Sequence, residues 1–169
     1  MKMHHVLEAL AKFCAVLAGL VMVGITLLTC ASVVGRNFFQ QAINGDFEMV
    51  GFAAGAAVAL FLPWCQVRRG NIIVDFFTTN ASPATQDRLD RLGAFLLAGV
   101  MLLMAWRSVL GGLNAYQTNS GSMMLGFPEW IVYAFMVPPM ILTAVIALHQ
   151  TVFGFSDESG TEDNPELAV

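Results

Sequence analysis

The chain has 169 residues and a formal net charge of −4, with 57% hydrophobic and only 12% charged residues. Soluble domains carry about 25% charged residues, so this composition argues against a water-soluble globule and makes lipid the main solvent. The length allows one domain, and no nucleic-acid pattern, phosphate loop, HExxH motif or nucleophile–base arrangement is visible.

Four apolar stretches follow in chain order. The first runs from Phe13 to Val34, between Lys12 and Arg36. It exceeds the 7–15 residues of a signal-peptide core and no small-residue cleavage site follows, so it is expected to be retained. The second opens after Asn44-Gly45, a turn signal, with Asp46 placed as N-cap, and runs from about Phe47 to Val67. Glu48 falls in its first turn, where the helix dipole favours an anion. Gly51 and Gly55 in "GFAAG" form a small-xxx-small pattern that lets a helix approach closely, from this chain or from a partner.

The second stretch stops at "FLPWCQVRRG" with Trp64, Arg68 and Arg69. The next residues, "NIIVDFFTTN", are too short to cross a bilayer. They read as a short interfacial amphipathic helix capped by Asn71, with Asp75 and the two threonines turned to water; an irregular connector is the alternative. Ser82 and Pro83 then start a third helix. It runs to about Gln117, contains the apolar stretch Leu92–Tyr116 interrupted by Arg107, and spans roughly 50 Å at 1.5 Å per residue. Such a helix must tilt or protrude. The fourth stretch runs from Trp130 to Phe153 and contains Pro138 and Pro139.

Each stretch is near the roughly 20 residues needed to cross a bilayer, and in lipid the backbone must satisfy its own hydrogen bonds, which makes these stretches helices. The expected fold is therefore an all-α integral membrane protein, with four transmembrane helices and a short interfacial segment between helices 2 and 3. Residues 1–155 form the membrane domain. Residues 156–169 are polar and acidic, lack apolar periodicity, and are expected to be a disordered tail.

Positive charge sets the orientation. Lys2 and Lys12 precede the first helix, and Arg68, Arg69, Arg88 and Arg91 lie between the second and third. The first connection has only Arg36, and the third has no Lys or Arg. Both termini are thus expected on the cytoplasmic side of a bacterial inner membrane.

Charges at membrane depth usually find partners, so Arg36, Glu48 and Arg107 are expected to meet near the periplasmic surface, with Glu48 paired to one arginine or capping its own helix. Arg107, Gly111, Asn114 and Gln117 share one helical face near one end of the third helix, which suits a docking surface better than a pore. The three cysteines, Cys14, Cys30 and Cys65, lie inside apolar runs without metal-ligand spacing and read as buried small hydrophobes. No cofactor or metal site is expected, and no enzymatic activity.

In order and spacing these features resemble the small membrane subunit of tripartite ATP-independent periplasmic (TRAP) transporters, the DctQ-like family. The resemblance covers about Arg36 to Phe153. It rests on Arg36 followed by Phe38 and Phe39, on Glu48 in "DFEMVGF", on Trp64, on "RGNIIVDFF", and on Gly126, Pro128 and Trp130 in "LGFPEW". Asn71 stands where the family usually has a His, and no Trp precedes Glu48. The resemblance implies a large multi-helix membrane subunit that carries the substrate and sodium sites, and a periplasmic substrate-binding protein that delivers an organic acid. The small subunit would scaffold the large one and help present a docking surface. Two other classes fit less well: an autonomous proton-coupled exporter using Glu48, and a haem-carrying redox subunit using His4, His5 or His149.

Overall fold

The computed structural model describes residues 2–40, 43–68 and 83–153. Four helices account for nearly all of them: α1 (Lys2–Phe39), α2 (Asp46–Val67), α3 (Pro83–Gln117) and α4 (Trp130–Phe153). All four are long and apolar enough to cross a membrane. The protein is an all-α membrane protein. The expected interfacial helix, with Arg69, Asn71 and Asp75, and the acidic tail lie outside the described residues.

The helices start and stop where the sequence placed them, with one exception. The first apolar stretch sits inside a 38-residue helix that continues past it at both ends. The preceding residues, "HHVLEALAKF", contain no Gly or Pro and are mostly good helix formers, so nothing stops the helix at the edge of the apolar run. α3 is continuous over 35 residues. α4 runs through Pro138 and Pro139; one turn beyond, the buried Thr143 hydroxyl donates to the Pro139 carbonyl at 2.8 Å.

Packing arranges the helices in an open row in the order α1–α2–α4–α3. α1 packs on α2, α2 on α4, and α4 on α3; α1 grazes α4, and α3 touches neither α1 nor α2 among the described residues. The contacts use small side chains: Ala18, Ala57, Ala98, Ala144 and Ala147 are fully buried. Close approach of this kind is how helices associate in lipid, where no hydrophobic drive exists between them. At the α3–α4 contact a Cβ built on Gly112 would lie 3.0 Å from Tyr133 Cβ, and one on Gly111 would lie 3.2 Å from its ring. By contrast, Gly51 and Gly55 face nothing within 4 Å, so the "GFAAG" pattern is not used for packing within the described chain. An open row leaves wide apolar faces: only 6% of the most apolar stretch of α1 and 17% of that of α3 is buried.

A polar pair joins α2 to α4 near the ends that α2 and α4 share. The Gln66 side-chain amide donates to Gln150 Oε1 at 2.7 Å, and the Gln150 amide donates back to the Gln66 carbonyl at 3.1 Å. Gln66 is buried, and a polar group in lipid must be matched. Gln66→Leu is expected to lower stability in detergent by about 1 kcal/mol. The double variant Gln66→Leu/Gln150→Leu is expected to lose less than the sum of the singles, measured by thermal unfolding followed on a sizing column.

Candidate functional site

The helix row has two ends. The end where α2 turns towards the α2–α3 connection, the elbow end, carries the last turn of α2, where the Arg68 guanidinium lies 4.9 Å from the Trp64 ring centre in a cation–π contact. The loop end carries the α1–α2 and α3–α4 connections, and there most of the charged and polar contacts gather.

Gly45 makes the first turn possible. Its φ of +77° is left-handed, a region glycine enters without penalty, and a Cβ there would fall 2.5 Å from Leu125 Cγ. Gly45 therefore occupies the N-cap, with no side-chain cap, and Asp46 is the first helical residue rather than the cap. The Asp46 carboxylate turns to α1 instead. It accepts from the Ser32 hydroxyl and from the Phe47 N–H at 2.7 Å, and lies 3.9 Å from the Arg36 guanidinium. The acid that meets Arg36 is thus Asp46. Arg36 remains 69% exposed, so the pair is a surface one of small energetic weight.

Glu48 reaches the other way, across the mouth of the α2–α4 contact. Its Oε1 accepts from the Met124 N–H at 3.0 Å, and its Oε2 from the Leu125 N–H at 3.2 Å. The Ser122 hydroxyl lies against the same carboxylate. A carboxylate receiving several aligned N–H groups is a charge-assisted contact, and at a helix N-terminus the dipole adds to it. The expected pairing of Glu48 with Arg36 or Arg107 does not form. In the first turn of its helix, Glu48 meets backbone donors of the loop rather than either guanidinium.

The loop that Glu48 holds is itself closed. The Ser122 N–H donates to Phe127 O at 2.9 Å, the Gly126 N–H to Ser122 O at 3.0 Å, and the Glu129 N–H to Ser120 O at 3.1 Å. Gly121 and Pro128 form an isolated bridge, and Gly126 takes a φ of +62°. Phe127 packs on Phe52 of α2 with ring centres 6.2 Å apart, and Trp130 stands edge-on to Tyr116 at 5.8 Å. Leu125 and Phe127 overhang an apolar groove of about 340 Å³ between α2 and α4, floored by Met49, Ala53 and Val132. Met123 in the loop is fully exposed, and Phe47 in the first turn of α2 is 86% exposed.

Arg107 stands apart from this cluster. It lies nine residues before Tyr116, about 14 Å deeper at 1.5 Å per residue, on a helix that touches neither α1 nor α2 among the described residues. Among the described residues these charges thus separate into an Arg36–Asp46 pair with Ser32, a Glu48–loop group and an unpaired Arg107. Asn114 and Gln117 are exposed on α3, whereas Gly111 of the same expected stripe faces Tyr133.

Fold and site together define a multi-pass α-helical membrane protein whose extramembrane connections are short and tied down at one end. The chain belongs to the family described as tripartite ATP-independent periplasmic transporters, DctQ component, which matches residues 25–156. That family is a transporter component rather than an enzyme family. No curated protein and no solved structure matches the chain.

Proposed function

We propose that this chain is the small subunit that scaffolds the large membrane subunit of a TRAP transporter. We propose further that it helps dock a periplasmic substrate-binding protein at its loop end, for ion-coupled uptake of an organic acid. The observation that carries this reading is the open helix row. A chain that buries so little of α1 and α3 within itself offers long apolar faces to other helices, as a scaffold requires. Glu48, the acid an autonomous proton-coupled exporter would use, is engaged by backbone N–H groups at a helix end, which favours the subunit reading. The docking surface comprises the closed loop of residues 118–129 with its exposed Met123 and Met124, together with Phe47. The test is purification from the native membrane in mild detergent. A many-helix membrane protein is expected in stoichiometric yield, and its absence would overturn the proposal.

The loop end faces the periplasm in this reading, and both termini face the cytoplasm. In a cysteine-free background, an impermeant thiol reagent added from the periplasm is expected to label Ser120→Cys and not Ser156→Cys. The reverse pattern would invert the orientation.

A further inference from the structure

α3 packs against α4 along Ala94, Ala98, Ala105 and Gly112. At 100° per residue its opposite face carries Leu103, Arg107, Leu110 and Asn114, all exposed. The Arg107 side chain makes no hydrogen bond or ion pair among the described residues. It also lies deep. The Tyr116–Trp130 aromatic pair marks the interfacial level at the loop end, as aromatic residues do, and Arg107 is about 14 Å below it along the axis. Arg91, towards the elbow end, is about 24 Å away in the other direction. Both distances place the guanidinium inside a hydrocarbon core of about 30 Å.

Escape to water runs against the helix geometry. Cα–Cβ bonds tilt towards the helix N-terminus, which for α3 is the elbow end. The side chain therefore sets out away from the nearer surface. Arginine at such depth faces protein or a water-filled cavity and pairs with an anion or with carbonyls. No described residue of this chain supplies that partner.

We propose that the face of α3 centred on Arg107, with Leu103, Leu110 and Asn114, seats a transmembrane helix of the large membrane subunit that presents a carboxylate to the guanidinium. The inference rests on the small-subunit reading above and adds the face and the chemistry of the contact. The apolar residues around Arg107 supply packing, and the desolvated ion pair fixes register, because a helix without the acid leaves a buried charge unmatched.

The experiment uses the complex purified from cells through the small subunit. Arg107→Leu removes a charge from an apolar environment, so the variant chain is expected in the membrane at no less than the wild-type level. Recovery of the large subunit with it is expected to fall by about tenfold or more, the loss typical of a central interface arginine. Arg107→Lys, which keeps the charge, is expected to retain most of it. A photo-crosslinker at Leu103 or Leu110 is expected to join the large subunit. Undiminished co-purification of Arg107→Leu, or crosslinks from both positions only to lipid or to a second copy of this chain, would overturn the inference while leaving the subunit reading intact. Failure of the wild-type chain to bring down any large subunit would overturn both.

Discussion

Glu48→Ala is expected to leave the protein inserted and to free the α3–α4 loop from α2. The carboxylate is the only described side chain hydrogen-bonded to the backbone N–H groups of Met124 and Leu125, and alanine returns those groups to water. The loop keeps its internal hydrogen bonds and the Phe52–Phe127 contact, so it should swing as a unit rather than unravel. Hydrogen exchange at Met124 and Leu125 should speed up several-fold, local opening being the event that exchange reports, and transport by the full complex should fall. Glu48→Gln keeps an acceptor oxygen but loses the charge, and should be intermediate. Because Glu48 and Arg107 share no partner among the described residues, Glu48→Gln and Arg107→Ala should act additively on transport, as unlinked sites do. Marked non-additivity would mean that the two charges meet in the assembled transporter.

Gly112→Leu is expected to have the largest effect on the chain itself. The α3–α4 contact is the sole attachment of α3 within the described protein, and a Cβ at residue 112 already meets Tyr133 Cβ at 3.0 Å. That atom is fixed to the α4 backbone, so no flexible end can swing aside. Overpacking a tight contact costs about 1–3 kcal/mol, and leucine adds three carbons beyond the clash. Thermal unfolding in detergent should show a clear loss for Gly112→Leu and a smaller one for Gly112→Ala. Tyr133→Ala in the Gly112→Leu background should recover part of it by opening space. Equal stability of Gly112→Leu and the parent would show that α3 and α4 separate freely and that the row order is not fixed by this contact.

The helices were readable because hydropathy and length alone determine which segments cross lipid, and Ser82-Pro83 and Trp130 marked the starts of α3 and α4. The side-chain pairings were less readable. Asp46 looked like a helix cap, but Gly45 takes the left-handed turn itself and frees Asp46 for Ser32 and Arg36. Those two residues stand four apart on one face of α1, a spacing that could have suggested a shared acid. For Glu48, charge suggests an arginine and position suggests the dipole of its own helix, because sequence shows charged side chains and hides the backbone N–H groups of distant segments. Only the tertiary path of the 118–129 loop brings Met124 and Leu125 to the carboxylate. Whether the "GFAAG" pattern serves this chain or a partner is open in the sequence for a related reason. "GFAAG" and the Gly111–Gly112 pair both permit close approach, and which one is used depends on the helix order α1–α2–α4–α3, which no local signal encodes. The Gln66–Gln150 pair, 84 residues apart, was hidden in the same way.

The central claim is that this chain assembles and positions a transporter without carrying the translocation path. Reconstitution tests it most directly. Liposomes holding this chain alone, liposomes holding it with its large membrane partner, and the latter supplied with the binding protein should be compared for organic-acid uptake under a sodium gradient. Uptake is expected only with the complete set, and Glu48→Ala should reduce it there. Gradient-driven uptake by liposomes holding this chain alone would contradict the account.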